Sequence, residues 1–463
     1  MTLRRAWLIL CLAAVALRLP DVGNPLIDYD EQMYLLVARR MWDGAWPYID
    51  IWDRKPIGLF LVYAGSQAFG GDPIVAYHLL ALLCVAGTAM LIATWLTRIA
   101  SPWCGLVGGL VYMLWIASLG GRGGQAPVYY EPLVAAAAWA AWRAARGGRR
   151  GWTAAAMLLA GVALQIKPTV VFEGCFFGAA ILFGDWRRGR ALLALAGEAA
   201  AMIALALAPT LLAYGVYAVC GHGQAWWFAN VDSIFLRGIT PSDPVGGRVI
   251  NTATIVAIPL AVAIYGIARH AGPMRPFLAG WLAAALLGWL AIPPYLVHYA
   301  MPLMLPIALG AGLAVRRSWA PAALLAIPAG WFLWLSGYPH RGETAMARRA
   351  VVASARLIDR YRGRGCAYIF LGPPAFYNAS GSCLPTRYPF SEHLGNISER
   401  GAIGIDPQVE VARILASRPP VIVSRRPGSG DNPATVALVR TAVRSHYRRV
   451  GTTLGYAVYA RTN

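Results

Sequence analysis

The chain has 463 residues, 58% of them hydrophobic and only 13% charged, where a soluble domain carries about 25% charged. This composition excludes a disordered, coiled-coil, collagen-like or small disulfide-framework protein and predicts a polytopic α-helical membrane protein. The formal net charge of +20 does not point to nucleic acid, because arginine at cytoplasmic loop ends and on a basic tail accounts for the excess.

Apolar runs predict helices at about 7–19, 74–96, 103–119, 132–146, 152–166, 169–183, 191–220, 249–268, 277–292, 295–315 and 319–337. That makes about eleven transmembrane helices, several of them nearer 15 residues than the roughly 20 a bilayer needs. Orientation follows from the arginines, which stay on the cytoplasmic side. Arg4 and Arg5 put the N-terminus inside, and with alternation Arg98, the cluster Arg143 to Arg150, Arg187 to Arg190, Arg269 with Arg275, and Arg316 with Arg317 all fall inside. The first segment is read as a retained helix. A signal peptide is its alternative, but no convincing small-residue cleavage site follows.

Residues 1–338 form the expected transmembrane domain, including an outer loop at 21–56, and residues 339–463 a small extracytoplasmic (periplasmic) α/β domain. Helical periodicity from Thr344 to Tyr361 precedes a strand-like Cys366–Leu371. A helix from Pro407 to Ala416 precedes Pro420–Ser424, and a final helix precedes a strand at Tyr456–Tyr459. Eighteen arginines against seven acids suit this segment to anionic headgroups, with a solvated arginine-biased surface as the alternative. Cys366 and Cys383 form a disulfide in an oxidising compartment or stand as two thiols. No internal repeat is evident.

The acids are unevenly spread. Only 21 exist, and Asp21, Asp28, Asp30, Glu31, Asp43, Asp50 and Asp53 crowd into the first outer loop. Asp28-Tyr-Asp-Glu31 opens a helix whose Met33, Leu36, Val37 and Met41 predict an apolar stripe lying in the membrane interface. Helix capping uses one such carboxylate; three in four residues exceed that need and suit proton transfer or metal binding. The metal set would be Asp28, Asp30 and Glu31, as oxygen donors to a hard divalent ion. No obligatory cofactor is expected.

Of 41 cationic side chains only Lys55 and Lys167 are lysine, and each precedes proline. Arg54 and Lys55 stand at the membrane edge where a phosphate headgroup would sit, or they snorkel there. Lys167 repeats the pattern on the same face. Arg237 is a third outer cation, in an aromatic loop that is otherwise an interfacial belt. Glu131 begins the fourth span after Tyr129 and Tyr130, as a site residue or a dipole partner. His298 and Tyr299 are site residues or a packed aromatic end. Glu173 and Glu198 lie within spans, as functional carboxylates or as partners of boundary arginines.

Asp30-Glu31, Tyr34, Ala38, Met41, Gly44, Pro47-Tyr48 and Lys55-Pro56 resemble the first outer loop of the GT-C glycosyltransferases. The branch is the one (glycosyltransferase family 39-like) that holds the dolichyl-phosphate-mannose protein mannosyltransferases and the bacterial aminoarabinose transferases acting on lipid A. Tyr130-Glu131-Pro132 is similar to its second acidic motif, and His298-Tyr299 with Pro302 and Pro306 resembles a late-span motif. The likeness covers the membrane portion. It departs in Lys-Pro-Ile, where the aminoarabinose enzymes favour Lys-Pro-Pro, and in an additional Asp28.

The resemblance implies a glycosyltransferase of the cytoplasmic (inner) membrane, moving a hexosyl or pentosyl group from a polyprenyl-phosphate donor to an acceptor hydroxyl at the outer face, with inversion. Its partners would be that donor, membrane lipid, and a glycolipid, glycan or protein acceptor. Asp30 would be the base, with Glu31 and Glu131 also catalytic. Asp28, Tyr34, Lys55, Lys167, Arg237, His298 and Tyr299 would bind substrate, Lys55 meeting charge on the departing phosphate. A secondary transporter and a polysaccharide polymerase or ligase are the competing classes. The concentration of charge in an outer loop, followed by a soluble segment, favours chemistry at the membrane surface over transport.

Overall fold

The computed structural model describes residues 1–68, 70–239 and 244–462. The chain divides into two compact units. Met1–Val22, Tyr77–Ala213 and Pro244–Arg341 form the first, and Gly23–Ala76, Tyr214–Asp243 and Gly342–Asn463 form the second.

The first unit is helical, and each of the eleven predicted apolar runs falls on a helix. Among the described residues, five helices are long and apolar enough to cross a bilayer: Pro73–Ile99, Pro168–Arg187, Leu192–Val219, Val245–Arg269 and Val297–Ala314. Apolar helices of 10–17 residues accompany them, among them Pro102–Ser118, Arg150–Leu164, Met274–Leu290 and Ala320–Leu335. Small residues set the closest helix contact. A Cβ on Gly266 would lie 2.0 Å from the Gly310 carbonyl oxygen, so helices Val245–Arg269 and Met304–Ala314 meet backbone to backbone.

Several charges inside this unit are paired. Buried Arg18 donates to the Gly121 and Gly123 carbonyls, each at 2.6 Å, and Arg122 pairs with Asp21, which together fix the loop leading into helix Ala126–Ala145. Glu198 pairs with Arg190, which also binds Asp185; this is the boundary-arginine alternative. Glu173 accepts from the Trp281 indole at 2.7 Å.

The second unit is α/β. Strands β1 (Tyr368–Leu371), β2 (Val421–Ser424), β3 (Tyr447–Thr453) and β4 (Tyr456–Arg461) form one sheet in the order β1-β2-β4-β3. β1 and β2 run parallel, pairing Tyr368 with Ile422, and the remaining pairs are antiparallel. Helices Glu343–Arg362, Pro407–Ala416 and Pro433–His446 match the predicted ones. The sequence reading missed β3. Its Tyr-Arg-Arg-Val-Gly-Thr-Thr has no alternating apolar pattern, because as an edge strand it exposes Arg448 and Arg449.

Helix Tyr29–Trp42 differs from its predicted setting. Every residue from Glu31 to Ala38 is buried, so the helix does not lie with one wet face in an interface. It packs on helices Ile57–Gln67 and Ala375–Ser380, and Asn378 Nδ2 donates to the Gln32 carbonyl at 2.8 Å. Protein, not lipid, covers the apolar stripe. Trp52 from the same loop is 2% exposed within the core formed by Tyr368, Phe370, Ile414 and Ile422.

Cys366 and Cys383 are joined, with their Cα atoms 4.8 Å apart and a sequence separation of 17. Closing a loop of this length stabilises by about 3 kcal/mol in the chain-entropy model. Replacing both cysteines with serine should therefore lower the thermal midpoint of the full-length protein under oxidising conditions. An unchanged midpoint would show that the bridge adds nothing.

Candidate active site

The loop from Gly44 to Pro56 is folded tightly on itself. Trp46 N–H donates to Asp50 Oδ2 at 2.7 Å, and Tyr48 N–H to the Ile51 carbonyl at 2.7 Å. Tyr48 holds φ 72°, a left-handed conformation costly for a side chain that size, and the surrounding bonds must over-determine it. Its buried hydroxyl donates to the Lys55 carbonyl at 2.9 Å, while Lys55 N–H donates to Asp53 Oδ1 at 3.1 Å. Lys55 is thus held by its backbone on both sides. Pro56 then enters helix Ile57–Gln67.

Asp28 caps helix Tyr29–Trp42, its side chain accepting from Asp30 N–H at 2.7 Å. Capping therefore describes Asp28 and leaves Asp30 on the first turn. The Tyr34 hydroxyl, one turn on, donates to Asp30 Oδ2 at 3.2 Å. Tyr34 is 1% exposed, edge-on to Tyr63 with ring centroids 5.5 Å apart. Burial, reinforced by Asp30, Asp53 and Asp28, pushes its phenol well above the usual value, so it stays a donor. Lys55 Nζ lies 6.0 Å from the centroid of the same ring. One phenol is thus hydrogen-bonded to the carboxylate and within cation–π range of the ammonium that the sequence singled out. Glu31 is buried beside them.

Asp53 belongs to this group as well, a role that local spacing does not reveal. It is 5% exposed; burial raises its carboxyl, Lys55 and Arg54 oppose that, and Asp30 adds to it.

Arg54 points to a different partner. Its guanidinium forms a two-pronged ion pair with Glu399, one arm at 2.9 Å, and its Nε donates to Ser233 Oγ at 3.2 Å. Arg237, expected on the donor phosphate, places Nε 2.9 Å from Glu399 Oε1. Buried Glu399 therefore ties two distant loops to the C-terminal segment. Nothing in its surroundings, Asn396-Ile-Ser-Glu-Arg400, marks it in the sequence. His393, 3% exposed, meets the Trp52 ring edge-on at 4.7 Å.

The other predicted site residues lie in the first unit. Glu131 is fully buried and accepts from the Tyr112 hydroxyl at 2.5 Å; its Oε1 has no hydrogen-bond partner among the described residues. Lys167 is within electrostatic reach of Glu131, and its Nζ sits 4.4 Å from the Tyr299 ring centroid. His298 meets Tyr299 edge-on at 4.8 Å. The structure thus gathers Asp28, Asp30, Glu31, Tyr34, Lys55 and Arg237 into the second unit and Glu131, Lys167, His298 and Tyr299 into the first. Among the described residues no three His, Cys, Asp or Glu side chains group as metal ligands, and Asp28 is engaged as a cap.

No protein-family model and no curated protein matches this chain. Solved structures do. ArnT from Cupriavidus metallidurans bound to undecaprenyl phosphate aligns with a TM-score of 0.70 at 14% identity, covering 98% of each chain. The same protein in the apo state gives 0.67 at 15% identity, over 100% of this chain and 99% of that one. The mycobacterial arabinofuranosyltransferase AftD gives 0.49 over 41% of its own length, too low to bear on the fold. At these identities the likeness concerns the fold alone. The chain has the ArnT fold from end to end, the GT-C fold that the loop motifs implied.

The buried pair in the second unit makes stability depend on pH. Burial lowers His393 to about 3, whereas an unfolded histidine titrates near 6.5. Between those values the unfolded chain binds the extra proton, so stability falls as pH drops below about 6.5, by at most about 1.4 kcal/mol per pH unit. Burial raises the Glu399 carboxyl, but Arg54 and Arg237 outweigh it and hold it below 4.5, adding a second loss under that pH. Thermal midpoints measured against pH should flatten between about 6.5 and 5 in His393→Gln while keeping the fall below 4.5. A variant profile that matches the parent's would refute this assignment.

Proposed function

We propose that this protein is a multi-pass glycosyltransferase of the cytoplasmic membrane, with its N-terminus inside and its C-terminal segment outside. It takes a sugar from a polyprenyl-phosphate donor and passes it to an acceptor hydroxyl at the outer face. The observation that carries this reading is the shared Tyr34 ring, with Asp30 on its hydroxyl and Lys55 near its face. A fold-wide likeness to a protein crystallised with undecaprenyl phosphate supports the choice of donor.

The chemistry follows from those groups. The acceptor oxygen attacks the anomeric carbon, the bond from that carbon to the phosphate oxygen breaks, and the configuration inverts. The acceptor proton passes to Asp30, whose orientation the Tyr34 hydroxyl fixes. The phosphate leaves with the electron pair, and Lys55 meets the charge that accumulates on it. Arg237 and Lys167 are assigned as further cations for the phosphate, Glu131 and Glu31 as carboxylates that orient sugar or acceptor, and His298 and Tyr299 as substrate contacts. No step runs through a metal ion. The acceptor is a glycolipid, glycan or protein.

Asp30→Asn keeps the shape and the Tyr34 contact but cannot take the proton. Transfer should drop by about 10²- to 10⁴-fold with donor binding retained, and full turnover would remove Asp30 from the role of base. Lys55→Ala should raise the donor KM by roughly tenfold or more, the worth of one charge-assisted hydrogen bond. The acceptor KM should stay where it was; an unchanged donor KM would count against the phosphate role. Proton-gradient-driven solute uptake by the purified protein in vesicles would replace this reading with a transporter.

A further inference from the structure

The parallel pair of the sheet ends in a cavity. β1 stops at Leu371 and β2 at Ser424, and Arg425 N–H donates to the Leu371 carbonyl at 3.0 Å, closing the two strands together. Beyond their carboxyl ends lies a cavity of about 200 Å³ lined by Tyr29, Leu371, Gly372, Ser391, Glu392 and Arg425. Ligands in open α/β sheets enter at this edge, because the loops leaving the strands diverge there.

The lining groups set what fits. Arg425 is bound on both arms by Asp431, at 2.6 and 2.8 Å, so its charge is already answered. Glu392 accepts from Asn396 Nδ2 through Oε2 at 2.7 Å. The one guanidinium of the lining is already answered by Asp431 and stands beside the Glu392 carboxyl, so no uncommitted positive charge is offered to a phosphate or other anion. The Tyr29 ring is 45% exposed, and its hydroxyl contacts that of Tyr456. A carboxylate, a serine, tyrosine hydroxyls and an aromatic face suit neighbouring hydroxyls on an uncharged ring. The volume matches a single sugar ring better than a lipid chain. Tyr29 also immediately precedes Asp30 on the first turn of one helix.

We infer that this crevice is a subsite for the acceptor, binding an uncharged, hydroxyl-rich sugar ring against Tyr29. This rests on the glycosyl-transfer reading for its purpose but not for its binding chemistry. Saturation-transfer NMR of the full-length protein in lipid nanodiscs tests it with methyl glucoside, methyl galactoside and methyl mannoside, and with methyl glucuronide as the anionic probe. At least one neutral glycoside should bind, and methyl glucuronide should bind more weakly than it does.

Tyr29→Ala, at an exposed position that leaves the core intact, and Glu392→Gln should each weaken the neutral glycoside by about tenfold. Asp30→Asn should leave binding unchanged while removing transfer. The proposal fails if no neutral glycoside binds, if methyl glucuronide binds as well, or if both crevice variants bind like the parent. Because binding is read without turnover, these results are separate from loss or survival of transfer in Asp30→Asn, which tests the catalytic reading alone.

Discussion

A buried carboxylate without a counter-charge is expensive, and Glu399, 2% exposed, is answered by two guanidiniums from loops that are 183 residues apart in sequence, Arg54 and Arg237. Removing both arginines would leave the carboxylate uncompensated in a dry place. The pairing closes the second unit: residue 54 belongs to its first segment, residue 237 to its second and residue 399 to its third. Other bonds follow the same lines. Ser233 Oγ donates to the Ala402 carbonyl at 2.6 Å, Gly238 N–H to that of Ser398 at 3.0 Å, and Trp52 N–H to that of Arg387 at 2.7 Å.

Much of the architecture can be read from apolar periodicity alone. Helices at Pro102–Ser118, Met274–Leu290 and Pro407–Ala416 announce themselves by long apolar runs or by an Asp-Pro start with an apolar stripe. Periodicity fails where a strand is wet on its outer side, as in β3, and where a helix is covered on all sides, as in Glu31 to Ala38. An amphipathic pattern says which face seeks an apolar neighbour. It does not say whether that neighbour is lipid or a segment more than 300 residues away, such as Ala375–Ser380. The bridge between Cys366 and Cys383 was one of two open readings because spacing alone does not fix pairing.

The site divides similarly. Asp30, Tyr34 and Lys55 stand out because acids and lysines are scarce in this chain, and scarcity makes a cluster informative. Asp28 was part of the same cluster yet is spent on a helix end. Asp53 stands out only as one of the crowded loop acids and Glu399 not at all, since their importance comes from what folding places opposite them. Local spacing reports neighbours on one element and is silent about partners delivered by a distant loop.

The left-handed turn at Tyr48 has a mechanical consequence for Lys55. With its amide anchored on Asp53 and its carbonyl on Tyr48, the root of this lysine is fixed on both sides of its Cα. The backbone share of the entropy needed to station a positive charge there is lost when the chain folds. A positive charge rooted in this way keeps its place without the loop beneath it having to be reordered.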